Sequence, residues 1–344
     1  MPPLTVTFGE IMLRLAAPGF ERLLQNPTLH ATFGGGEANV AASLADFGLP
    51  TAFVTVLPTA NPLADAAIGE LRRLGVDTSH IVRSTGRLGI YFLETGASQR
   101  ASKVVYDREG SAFALAAPDS FDWPRVLAGA GWFHVTGITP AVSEAAASLV
   151  IEAARTARGM GITVSCDLNF RKNLWKWGKP ASAVMPELVR VSDVLIANEE
   201  DIQMALGLTT DIDVHAGVLD RASYRRLTEA VICEYGHLRA VAVTLRESKS
   251  ASHNVWSACL HDGRDFLLSR TYDIAHIVDR VGAGDSFAAG LIYGMQTGLG
   301  SEAALDFAVA ASGLKHSIPG DVNRVSVDEV RALLDGGGSG RVQR

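Results

Sequence analysis

The sequence predicts an α/β fold, a mostly parallel sheet covered by helices and interrupted by a small β excursion. Three observations carry this. From Trp132 onward, short apolar runs alternate with helical stretches, the mark of successive βαβ units. Between Gly86 and Tyr106 the texture changes to two strands around a polar turn with no helix between them. Two glycine turns, Gly34-Gly35-Gly36 and Gly282-Ala283-Gly284, each open into a run of small residues at helical spacing.

The elements follow in chain order. Leu4 to Phe8 is short, apolar and β-branched, a buried strand ending in Gly9-Glu10. Ile11 to Leu15 and Ala31 to Phe33 read as short strands, and the helix after Gly36 closes at Phe47-Gly48. Thr51 to Leu57 is a further strand, and Asp65 to Gly75 an amphipathic helix stopped by glycine. Gly89 to Gly96 and Lys103 to Tyr106 form the excursion hairpin. The parallel run then uses Trp132–Val135, Thr163–Asp167, Val194–Ala197 and Val241–Thr244, whose trailing residues belong at the carboxyl edge where such sheets bind ligands. Val255 to Leu260 and Asp265 to Ser269 flank Asp262-Gly263 as an edge hairpin. Helices from Phe287 and from Ala303 to Lys315 complete one domain over residues 1–334. Its excursion takes segments of about 10–34 and 86–108, and residues 335–344 form a flexible glycine-rich tail.

Composition narrows the function. The chain of 344 residues is 47% hydrophobic and 20% charged, with a net charge of −6 and a pI near 5.9. That balance offers no basic footprint for nucleic acid or an anionic membrane, so an anionic ligand needs local positive groups. The first eight residues lack a secretion-signal pattern, and no apolar run reaches the roughly 18 residues of a membrane span. Cys166, Cys233 and Cys259 stand singly, as buried thiols of a reducing, cytoplasmic compartment would.

The chemistry concentrates in Asp279 to Gly290. Gly282, Ala283 and Gly284 let an anion approach the unpartnered N–H groups of a helix start. Asp285, in the first helical turn, would stand beside that anion as a base for an attacking hydroxyl; as a plain helix-start acid it would only favour the dipole. Arg171, after a strand end, and Arg108, after the hairpin, are suited to gripping a planar carboxylate, or else are solvated surface charges.

Taken together, Gly34-Gly35-Gly36-Glu37-Ala38-Asn39 with Gly48, and Asp279 to Gly290, resemble the paired signatures of the PfkB (ribokinase-like) sugar kinases, over Leu4 to about Leu334. The resemblance implies a three-layer α/β/α fold with a small β-sheet lid, ATP and Mg²⁺ as co-reactants, and a homodimer through the lid. Asp167 to Trp175, Tyr106-Asp107-Arg108 and Lys315 to Asp321 are similar to the family's kinases of 2-keto-3-deoxygluconate. That implies phosphorylation of this sugar acid at its terminal hydroxyl, with Asp285 as base. Kinases of neutral sugars such as fructose or ribose, and a non-catalytic sensor on the same fold, are the alternatives.

By the same resemblance Gly35, Gly36 and Asn39 line the sugar-hydroxyl site, unless they serve only a turn and a helix cap. Tyr91, Tyr106, Asn169, Arg108 and Arg171 complete the sugar site; the two tyrosines would otherwise be packing residues. Asn198, Thr244, Arg246, Gly282, Gly284 and Lys315 fall to the nucleotide, with Arg246 either a phosphate ligand or directed to solvent. Asn198-Glu199-Glu200-Asp201 resembles the motif that positions Mg²⁺ through water, the role falling to Glu200 or Asp201. Asp279 and Val281 match a monovalent-cation site, for potassium, beside the anion hole.

Overall fold

The computed structural model describes residues 2–208 and 221–337. Strand β1 (Leu4–Phe8) leads into β2 (Met12–Ala16), β3 (His30–Gly34) and helix α1 (Gly36–Asp46). Next come β4 (Thr51–Val54), β5 (Val56–Pro58) and α2 (Pro62–Arg73), the last capped by the Asn61 side chain on the Leu63 and Ala64 N–H groups. After β6 (Val82–Ser84) the hairpin β7 (Ile90–Glu94) and β8 (Lys103–Asp107) precedes α3 (Trp123–Val126). Then alternate β9 (Ala130–Thr136), α4 (Ile138–Val142), α5 (Glu144–Gly159), β10 (Thr163–Asp167), α6 (Ala181–Val189), β11 (Val194–Ala197), α7 (Glu199–Leu206) and α8 (Arg221–Glu234). The chain closes with β12 (Ala240–Ser250), β13 (His253–His261), β14 (Phe266–Leu268), β15 (Tyr272–Ile274), α9 (Ala283–Gln296), α10 (Ser301–Lys315) and α11 (Val327–Leu334).

Among the described residues the main sheet runs β14-β13-β12-β11-β10-β9-β1-β4, with β15 also on β13. Pairing is parallel from β12 to β4 and antiparallel beyond β12. Side chains alternate across it. Leu195, Val241 and Val243 pack with α5, α6 and α8, whereas Ile196, Ala240 and Ala242 pack with α1, α9 and α10. The three-layer α/β/α arrangement is therefore written in the period-2 pattern of the strands. A separate four-stranded sheet has the order β3-β2-β7-β8, its two central strands parallel and its outer pairs antiparallel.

Two expectations need correction and one a sharper boundary. The strand expected over residues 51–57 is two: β4 joins the main sheet beside β1, while β5 pairs with β6 elsewhere. An unbroken apolar run carries no signal for where a chain leaves one sheet for another. The helix whose apolar run begins at Phe287 starts at Ala283, immediately after the left-handed Gly282, so that Asp285 stands in its first turn as expected. Cys233 is exposed rather than buried, unlike Cys166 and Cys259. The tail beyond residue 337 lies outside the described residues.

Candidate active site

The carboxyl ends of β10 and β11, the middle of β12, the turns opening α1 and α9, and the smaller sheet enclose a cavity of about 520 Å³. Its wall includes Gly282, Ala283, Gly284 and Asp285, so the start of α9 turns the positive end of a helix dipole toward it, with the Ala283 N–H donating to the Arg280 carbonyl at 3.3 Å. The turn is held by Asp279, whose Oδ1 accepts from the Val281 N–H at 3.0 Å and Oδ2 from the Gly320 N–H at 3.1 Å. Gly282 sits at φ 81°, and a Cβ there would fall 1.9 Å from the Asp321 carbonyl oxygen. Only glycine permits this approach of two backbones.

Asp285 stands partly buried in the first turn of α9, and Asn39 Nδ2 donates to its Oδ2 at 2.7 Å. Burial pushes the carboxyl up to about 7; the Asn39 hydrogen bond pulls against that rise, and Asp321 and Glu37 add to it. The result is a carboxylate poised near neutrality, the range that suits proton transfer. Asn39 also accepts from the Gly35 N–H at 3.3 Å, so one amide both steadies the α1 turn and holds the carboxylate. Gly35 is required by close approach, since a Cβ there would meet the Glu10 carbonyl oxygen at 2.1 Å. Gly36 faces Asp285 across the cavity floor.

Tyr91, Tyr106 and Arg108 from the smaller sheet, and Asn169 and Arg171 after β10, line the same cavity. Arg171 is exposed, with Nη1 donating to the Phe170 carbonyl at 2.9 Å, and its charge lowers the Asp285 pKa. Asn169 adopts a left-handed φ of 36° at the strand end. Arg108 is buried and committed, its Nε donating to Glu10 Oε2 at 2.8 Å and its Nη2 to the same oxygen. The Tyr91 hydroxyl donates to Asp321 Oδ2, while Tyr106 is exposed on β8.

Asn198, Glu200, Asp201, Thr244, Arg246 and Val281 also reach the cavity. Asp201 closes a capping box on α7: it accepts from the Asn198 N–H at 3.3 Å and the Phe170 N–H at 2.9 Å. Burial pushes it up to about 6. Glu200 and Arg246 are exposed. Lys315 needs correction as a nucleotide ligand. It is fully buried behind the turn, with Nζ donating to the carbonyls of Asp279 and Ile318, because the last residue of α10 points inward.

Sequence reasoning missed several participants. Asp167 ends β10, is buried on the cavity wall, and burial with Asp201 and Asp285 holds its carboxyl well above the usual range. Its place at a strand's carboxyl end was the available signal. Glu37 Oε1 accepts from the Thr136 N–H, Thr136 Oγ1 and Thr139 Oγ1 at 2.9, 2.8 and 2.7 Å, fixing α1 against the end of β9. Arg14 of β2 bridges Asp279 and Asp321. Glu37 lies within the Gly34 to Asn39 motif, but nothing local in the sequence gives it or Arg14 its distant partners.

An anion-binding helix start, a near-neutral carboxylate and a cation-lined cleft suit phosphoryl transfer to a hydroxyl. Comparison with known proteins agrees. A 2-dehydro-3-deoxygluconokinase from Thermotoga maritima is 48% identical with a TM-score of 0.92, covering 98% of this chain and 99% of its own. A 2-dehydro-3-deoxygalactonokinase from Haloferax volcanii is 30% identical over 97% of this chain and 98% of that protein. A 2-dehydro-3-deoxygluconokinase from Bacillus subtilis is 27% identical over 94% and 93%. The model of the pfkB family carbohydrate kinases matches residues 3–326, and with the active-site turn intact the chain belongs to that family.

Proposed function

We propose that this carbohydrate kinase transfers the γ-phosphoryl group of MgATP to the terminal hydroxyl of 2-keto-3-deoxygluconate, giving the 6-phosphate. The observation that carries the reading is the shared cavity of Asp285 and Arg171, one a near-neutral carboxylate and the other an exposed guanidinium. Arg171 grips the substrate carboxylate and so aims the far hydroxyl. Asp285 takes the hydroxyl proton as the oxygen bonds to the γ-phosphorus and the bond to the ADP oxygen breaks. N–H groups of the Gly282–Gly284 turn receive charge on the transferring group. Arg108 is already neutralised by Glu10, so recognition of the acid rests on Arg171, with Asn169 and the Gly35–Gly36 turn toward the hydroxyls.

Among the described residues no group of three His, Cys, Asp or Glu could hold a metal. This fits Mg²⁺, which keeps most of its waters and arrives with the phosphates; when bound it neutralises charge on the β- and γ-phosphates. Glu200, exposed on the cavity wall, is the acid suited to meet one of those waters, since both Asp201 oxygens accept backbone N–H groups. Asn198, Thr244 and Arg246 take the nucleotide side. Val104, Val105 and Tyr106, exposed on β8, support a homodimer through the smaller sheet. No helix among the described residues is long and apolar enough to cross a membrane.

The test is a coupled ADP-release assay over 2-keto-3-deoxygluconate, its galacto epimer, fructose and ribose. Preference for the acids supports the reading; preference for a neutral sugar overturns it. In the same assay Arg171→Met should raise KM for the acid about 10- to 100-fold, as loss of a charged hydrogen bond does, with KM for ATP unchanged. Equal losses for both would remove Arg171 from the carboxylate.

A further inference from the structure

The monovalent cation implied beside the anion-binding turn does not fit the residues present there. Such an ion needs oxygen ligands from the Asp279 turn and the segment packed against it, and the oxygens of Asp279, Ile318 and Asp321 there already hold donors. The Asp279 carbonyl accepts from Lys315 Nζ at 3.3 Å and the Ile318 carbonyl accepts from the same nitrogen at 3.1 Å. The Asp279 carboxylate is shared by Arg14 and the Val281 and Gly320 N–H groups, and the Asp321 carboxylate by Arg14 and the Tyr91 hydroxyl.

We propose that the Lys315 ammonium is a tethered cation standing in the place of a diffusible potassium ion, so that phosphoryl transfer by this kinase needs no monovalent salt. Lys315 is 0% exposed, and a buried lysine is retained only with strong partners. The cluster balances one for one, Arg14 and Lys315 against Asp279 and Asp321. Burial draws the lysine pKa down, while both carboxylates push it back toward the charged form. An ammonium ion resembles potassium in size and in its preference for carbonyl oxygens. Held between the 279 turn and residue 318, it pins the two segments whose backbones meet at Gly282, and it places positive charge behind the turn that faces the phosphate. Its loss leaves two carbonyls without their donor and a net negative charge behind the anion site. Lys315 is thus a positioning residue, acting through the turn rather than on the substrate.

The inference rests on the phosphoryl-transfer chemistry of this turn and not on which sugar is used. Wild-type turnover, with whichever sugar the panel identifies, should be the same in choline, sodium and potassium chloride. Lys315→Ala should lose at least about 10-fold in turnover in choline chloride, in line with loss of an electrostatic support of an anion hole. Potassium or ammonium should restore it, and lithium should not. Independently of activity, potassium should raise the melting temperature of Lys315→Ala and leave the wild type unmoved, a readout that survives even if the sugar assignment fails. Wild-type turnover that depends on potassium would overturn the proposal. So would a folded Lys315→Ala whose melting temperature and turnover ignore both ions. If the variant folds in no salt, the wild-type ion dependence alone decides.

Discussion

Replacing Asp285 with Asn separates the catalytic role proposed for this carboxylate from its effect on the fold, and the two readouts should move in opposite directions. The folded-state pKa rises from 3.8 to about 7, chiefly through burial. Because the folded value lies above the unfolded one, ionisation works against the native state. The stability contributed by this group is complete below about pH 4, declines as the pH climbs toward 7, and is level beyond. At 1.36 kcal/mol per pH unit the full difference is roughly 4 kcal/mol. Solvent at the partly exposed carboxyl reduces that to about 1–2 kcal/mol. Asp285→Asn, which cannot ionise, should therefore be more stable than wild type at pH 8 by about 1–2 kcal/mol, with the advantage gone near pH 4. Its turnover should fall by about 10²- to 10⁴-fold, the usual contribution of a general base. Wild-type kcat/KM should decline below about pH 7 as the base is protonated. Chemical denaturation at pH 4 and 8, with a pH–rate profile, checks all three. Wild-type turnover in the variant would remove Asp285 as base, and an equal stability at both pH values would refute the burial argument.

Two further substitutions probe the surroundings. Arg108→Gln leaves the Glu10 carboxylate buried without its cation and should destabilise by about 3–5 kcal/mol, most of it recovered when Glu10→Gln is added; a substrate-gripping arginine would instead change KM with little loss of stability. Gly282→Ala places a Cβ 1.9 Å from the Asp321 carbonyl at φ 81°, at a strain of about 1–3 kcal/mol, so turnover should collapse while a shifted but folded domain persists by circular dichroism.

The sequence spoke most clearly where function depends on contiguous residues. The turn at 282–284 with Asp285, and strands such as Leu4–Phe8 and Val194–Ala197, need only local spacing to be recognised. Arg171 was legible because a residue after a strand end has a predictable address. Contacts between distant segments were not. The Arg108–Glu10 pair spans most of the first hundred residues, and Arg14 reaches Asp321 near the far end of the chain, with no local pattern announcing either. Lys315 sits next to a motif that reads as ligand-binding, yet its side chain turns inward from the end of α10, and direction of that kind follows from packing alone. The division of residues 51–58 between two sheets had the same cause.

The salt link of Arg14 and the hydroxyl of Tyr91 have a mechanical meaning. Both side chains rise from the central strands of the smaller sheet, β2 and β7, and both are fastened to Asp321 behind the active-site turn. Swinging that sheet away as one rigid flap would part buried ions at a cost of several kcal/mol. The inner strands are thereby anchored to the turn, and we predict that any opening of this sheet is confined to its outer strands, where Tyr106 of β8 stands exposed.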